Sequence, residues 1–225
     1  ACYLNGYNFG LLPVTGNKEP SYQVVTKISN QKFLNVSVFQ LRALTQGGAR
    51  IEILESQGVR EFTVDLSNEI EAGRKVENGG YFILLTVGLF SKEPFGELQE
   101  EEEPPRCPFA APSYKIHVIP VKQVPGDSFN PYSLILGKLL ILPDKIEIME
   151  DYIPASMTLR SHERLLSFHS SVEKFYNQLE INLLSINSKI KEKDQDSSLA
   201  MSVLSLAVNL LNFLSINNLK IKWLI

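Results

Sequence analysis

Short runs of β-branched and aromatic residues, separated by clusters of turn-forming residues, set the texture of the chain from Ala1 to about Ile148. Such runs read as strands, here Tyr22–Ser29, Phe33–Ala43, Arg50–Glu55, Glu61–Asp65, Tyr81–Phe90, Tyr114–Val121 and Lys145–Glu150. The connectors Gly16-Asn17, Gly47-Gly48, Gln57-Gly58, Asn78-Gly79-Gly80 and Pro125-Gly126 supply positive φ or a preset turn. Arg50–Glu55 and Glu61–Asp65 alternate polar and apolar residues across Ser56-Gln57-Gly58, which predicts a hairpin with one wet face. No amphipathic helix long enough for a βαβ crossover intervenes, so the pattern predicts an antiparallel β-sandwich over residues 1–153.

After Pro154 the period becomes helical. Ser161 can cap, and Leu165, Phe168, Val172, Phe175, Leu179, Leu183, Ile186 and Ile190 follow at steps of three or four, a coiled-coil-like seam. Glu173, Lys174, Asn177, Gln178, Glu180, Lys189 and Lys191 keep the other face wet, and the polar run from Lys191 to Asp196 marks the helix end and a turn. A second helix from about Ser197 carries one apolar stripe of Leu199, Val203, Leu206, Leu210 and Phe213, and another of Leu204, Val208, Leu211 and Leu214. One partner helix cannot cover so much apolar circumference. Residues 154–225 are therefore expected to form a long helical hairpin that associates with other helices, an α+β chain overall.

Composition leaves this picture intact: 44% hydrophobic and 21% charged residues suit a globular chain with a sizeable core. A net charge of -3 gives no field favouring nucleic acid or an anionic membrane. Leu199–Ile225 is apolar enough to suggest a membrane span, but Ser202, Ser205, Asn209, Asn212, Ser215, Asn217 and Asn218 interrupt it, so it reads as a protein–protein helix without membrane insertion. Cys2 and Cys107 belong to no metal or redox spacing and read as free thiols of a reducing cytoplasm. No signal peptide is visible, although the start without Met suggests processing. The abrupt close on Lys222-Trp223-Leu224-Ile225 predicts a chain truncated at its C-terminal end.

Within residues 95–112, Glu97 and Glu100 to Glu103 precede Pro104-Pro105, with Pro108 and Pro112 beyond. Repelling charges and residues without an N–H predict an exposed loop, either a solvated insertion or an acidic finger for a basic partner or a neighbouring subunit. Catalytic patterns are missing: there is no GxSxG, P-loop, HExxH or GxGxxG. His117 reads as a polar-face strand residue, and His162 and His169 as a helix-surface pair without a third ligand. A mobile acidic loop cannot hold two carboxylates in fixed geometry, so no catalytic residue, cofactor or metal is assigned. A structural, partner-binding subunit fits better than an enzyme.

The junction between the halves is distinctive: Leu139-Leu140-Ile141-Leu142-Pro143, then Ile146 through Tyr152-Ile153-Pro154-Ala155 to Leu159, then Ser161-His162-Glu163-Arg164-Leu165-Leu166. It resembles the TssK family of type VI secretion baseplate subunits, in which a strand pair ends in an acidic-aromatic-Ile-Pro-Pro step before a helix; Ala155 replaces the second Pro. Gly6-Tyr7-Asn8-Phe9-Gly10-Leu11-Leu12-Pro13, and the acidic loop through Pro104-Pro105-Arg106 to Ala111-Pro112-Ser113-Tyr114-Lys115, are similar to that family too. The resemblance implies a cytoplasmic, homotrimeric, non-enzymatic adaptor. Its β-sandwich, like the shoulder of phage receptor-binding proteins, would attach to baseplate wedge subunits. Its helical bundle would trimerise, and a C-terminal head would reach the membrane complex. A phage or phage-like tail baseplate or receptor-binding protein is the alternative, and a carbohydrate-binding or hydrolytic β-sandwich is a lesser one. The expected oligomer interface comprises Leu165, Phe168, Val172, Phe175, Leu179, Leu183, Ile186, Leu199, Val203, Leu206, Leu210 and Phe213.

Overall fold

The computed structural model describes residues 8–14, 20–73, 79–95, 99, 101, 103–121, 130–142, 145–192 and 198–220. The turns expected at Gly16-Asn17 and Pro125-Gly126, residues 193–196 of the polar run, Cys2 and the last five residues lie outside this set. The chain divides into two compact units, Ala1–His162 and Glu163–Ile225.

The first unit holds strands β1 (Gly10–Leu11), β2 (Tyr22–Ser29), β3 (Phe33–Leu44), β4 (Arg50–Ile53), β5 (Arg60–Asp65), β6 (Gly79–Phe95), β7 (Phe109–Pro120), β8 (Ser133–Ile141) and β9 (Ile146–Ile148), with a short helix α1 (Ser67–Gly73) after β5. All strand pairs are antiparallel, in two sheets: β1, β2, β4 and β5 gather on β3, and the second runs β7-β6-β8-β9. Alternation along β3 buries Leu34, Val36 and Val38. A bulge at Phe39 of β3, opposite Gln23/Val24 of β2, shifts the register, and Leu41 and Ala43 stay in the core beyond it. Facing them, β6 and β8 contribute Ile83, Leu85, Leu134, Leu136 and Leu139, so one core is shared by the two sheets. The Tyr22 hydroxyl donates to the Leu136 carbonyl at 2.8 Å and ties one sheet to the other. Burial, with Tyr152 as a lesser cause, pushes that phenol up to about 12.

Three differences from the sequence reading have physical causes. The expected hairpin between Arg50–Glu55 and Glu61–Asp65 does not form. Instead β4 pairs with Leu41–Leu44 and β5 with Phe33–Val38 of β3, one edge strand interrupted by an excursion over 54–59. The excursion contains a 3-10 turn at Glu55–Gln57 and closes on Gly58 at φ 87. Polar alternation there reflected a shared edge position, not mutual pairing. The strand β8 was not anticipated, because a strand covered on both faces has no period of two. The β6–β7 ladder also extends into the Pro-rich segment, with Lys92 opposite Pro112 and Phe95 opposite Phe109. Proline is tolerated there because the ribbon outruns β8, whose pairing with β6 ends at Thr86.

The unit closes on the junction segment. Leu11 N–H donates to Ala155 O at 2.7 Å, and Met157 N–H donates to Leu11 O at 3.0 Å. Gly10 sits at φ +118, and a Cβ there would overlap the Ala155 carbonyl, so glycine is required. These bonds carry the first unit past Ile153 to His162, whose ring lies 5.5 Å from that of Tyr22. The second unit is an antiparallel hairpin of α2 (Glu163–Glu192) and α3 (Ser198–Lys220).

Candidate association surface

Covered residues of α2 form one stripe: Leu165, His169, Val172, Tyr176, Leu179, Leu183, Asn187 and Ile190, at steps of three and four. On α3 the covered residues include Leu204, Ala207 and Val208. Asn187 Nδ2 donates to Met201 Sδ at 2.8 Å between the helices. His169 and Asn187 are 8% and 7% exposed, which corrects the surface placement expected for His169. The hairpin seam is thus more polar than hydrophobic periodicity suggested: it keeps Leu165, Val172, Leu179, Leu183 and Ile190 of the expected stripe but takes His169, Tyr176 and Asn187 in place of Phe168, Phe175 and Ile186.

That exchange leaves much of the apolar surface uncovered. Phe168, Phe175 and Ile186 are 68%, 63% and 47% exposed on α2, and Leu199, Val203, Leu206 and Phe213 are 77%, 37%, 62% and 64% exposed on α3. At about 100° per residue the α2 set lies to one side of the covered stripe, and the α3 set lies to the same rotational side of its own. Because the helices run in opposite directions, both flanks fall on one broad face of the hairpin. A second set, Leu166, Ile181, Leu184 and Met201, is also exposed and lies toward the opposite side. Of the twelve expected interface residues, Leu183 is buried, Leu165, Val172, Leu179 and Leu210 are half-buried, and the other seven form the broad exposed face. Sequence reasoning missed the second set. Its signal was the apolar pair Ile181 and Leu184, three apart on the supposedly wet side.

His117 is exposed on β7, His162 packs at a tilt against Tyr22, and His169 belongs to the other unit. Among the described residues no three His, Cys, Asp or Glu side chains cluster to hold a metal. An open cleft of about 530 Å³ at the end of the β6–β7 ribbon is lined by Lys92, Glu93, Pro94, Pro105, Arg106, Cys107, Phe109 and Ala110, with Glu93 drawn off to Arg60 at 3.3 Å. Cys107 is a free, half-buried thiol. No helix among the described residues is long and apolar enough to cross a membrane.

No family profile and no curated protein matches the sequence. Solved structures do. A structure of TssK from the type VI secretion system of EAEC, in complex with a nanobody, aligns over 93% of this chain and 70% of its own length, with a TM-score of 0.57 at 11% identity. The chain has the TssK fold. A chain of the cryo-electron microscopy structure of the type VI secretion TssK-TssF-TssG baseplate subcomplex aligns over 93% of this chain and 67% of that one, with a TM-score of 0.56 at 11% identity. A crystal structure of TssK gives 0.52 at 10% identity, over 95% of this chain and 51% of that one. The TssK fold thus accounts for the pairing of a two-sheet sandwich with a long helical hairpin in one chain.

Proposed function

We propose that this chain is a non-enzymatic structural subunit of a type VI secretion baseplate, which self-associates through its helical hairpin and engages wedge subunits through its β-sandwich. The observation that carries the reading is the uncovered apolar surface on both sides of the hairpin, in a chain with the TssK fold. An exposed apolar surface of this extent is an association site. Apolar surface on two sides suits a ring, in which each copy meets two neighbours through different faces, better than a two-fold dimer, which uses one face twice. Three copies are the closed ring that the TssK resemblance implies. Partners of the sandwich are then counterparts of the TssF and TssG named in the solved baseplate subcomplex, and the assembly works in the cytoplasm, linking the wedge to the membrane-anchored complex.

The test is coexpression with the TssF and TssG proteins encoded in the same genome, followed by affinity purification on TssG and light scattering of the chain alone. The reading expects co-purification and a trimer mass. A monodisperse monomer that leaves TssF and TssG unbound overturns it.

A further inference from the structure

Beyond Thr86 the β6–β7 pair continues without β8 as a two-stranded ribbon. At its root Gly88 lies opposite Ser113, and the next pair is Lys92 opposite Pro112, so Leu89, Phe90 and Ser91 form a bulge on one strand against no added residue on the other. A Cβ at Gly88 would meet the Ser113 hydroxyl across the ladder. The bulge leaves Phe90 100% exposed, and Phe109, further along the ribbon, is 64% exposed. Arg60 of β5 pairs with Glu93 at 3.3 Å, so the ribbon just beyond the bulge is anchored to the first sheet. Past that anchor the sequence places Glu97 and Glu100 to Glu103, of which Glu101 and Glu103 are described and exposed.

A fully exposed aromatic ring on an anchored bulge contributes nothing to the fold of its own chain. It has the character of an interface hot spot, a rigid aromatic that gains most when a pocket closes on it. Glu101 and Glu103, exposed farther out along the same ribbon, select the charge of the surface that the ribbon would cross. We propose that the β6–β7 ribbon is a docking arm whose Phe90 fills an apolar socket on another protein subunit, while Lys and Arg side chains of the same subunit meet Glu101 and Glu103 at the far end of the arm. This inference rests on the baseplate reading for its partner, a counterpart of the TssF–TssG pair. Charge complementarity of this kind acts mainly on the association rate and is screened by salt.

The experiment measures binding of the whole chain to the cognate TssF–TssG complex by biolayer interferometry at low and high salt. Variants are Phe90→Ala and Glu101→Lys/Glu103→Lys; all three residues are exposed, so both variants should melt with the wild type. The arm predicts affinity lowered about thirtyfold or more by Phe90→Ala. It also predicts slower association in the charge-reversed variant, with the salt dependence lost. Wild-type binding that Phe90→Ala leaves unchanged overturns the arm while the baseplate reading stands. Absence of wild-type binding overturns both. Phe90→Ala that instead lowers the oligomer mass assigns the ring to a contact between copies of this chain and overturns the proposed partner.

Discussion

Replacing Leu206 by Asp separates folding from assembly. Leu206 is 62% exposed, so in the isolated chain its replacement by Asp costs about 1 kcal/mol, from the covered part of the side chain and the weaker helix propensity of Asp. In the proposed ring the same side chain is covered. Burying what remains of a leucine at that exposure is worth about 1–2 kcal/mol, hence about 3–6 kcal/mol over three copies. Leu206→Ala alone should therefore raise the dissociation constant of a trimer by about 10²–10⁴. Leu206→Asp adds an unpaired charge in an apolar contact, about 3–5 kcal/mol for each copy, and should abolish association at micromolar concentration. Sedimentation equilibrium reads the mass, and circular dichroism with thermal melting reads the fold. The expected result is a folded monomer. A Leu206→Asp chain with both mass and melting unchanged would refute the placement of this face in the interface, and one that simply unfolds would show that Leu206 is not the exposed residue described here.

Three further outcomes follow from the same geometry. Leu183, 8% exposed within the covered stripe of α2, should lose about 2–5 kcal/mol on Leu183→Ala, read as earlier loss of helical signal in urea. Gly10→Ala forces a side chain into the Ala155 carbonyl at φ +118; a loss of about 2–3 kcal/mol, roughly 5–10 °C in melting temperature, is expected. The Tyr22 phenol resists ionisation when folded, so the unfolded chain releases that proton first, and stability falls between about pH 10 and pH 12 by up to about 2–3 kcal/mol. Tyr22→Phe should remove that part of the alkaline loss. At neutral pH it should forfeit about 1 kcal/mol, because the Leu136 carbonyl is left unpaired. A variant whose stability falls as steeply as the wild type above pH 10 would count against the burial of Tyr22.

The sandwich was legible where one face of a strand is wet. Tyr22–Ser29 was read to the residue, because Gln23, Val25 and Lys27 point outward between covered neighbours. Legibility failed where periodicity carries no partner information. β8 has burial on both faces and a Gly-Lys pair in its middle, so it neither alternates nor runs unbroken. β4 and β5 alternate well, yet alternation does not say that their common neighbour is β3. In the hairpin the apolar stripe and the covered stripe part at three positions: Phe168, Phe175 and Ile186 are the hydrophobic choices, while His169, Tyr176 and Asn187 are the covered ones. A sequence-based seam finds the most apolar line on a helix. In a chain meant to associate, that line need not be the one its own hairpin uses. The bulge at Phe90 was invisible, since it depends on a register shift against β7.

The uncovered hairpin face is proposed to join copies of this chain into the core of a larger assembly. Native mass spectrometry of the chain coexpressed with its cognate TssF and TssG addresses it most directly. Species with three copies of the chain, alone and bound to TssF and TssG, are expected. A spectrum dominated by the free monomer, with TssF and TssG in separate species, would contradict it.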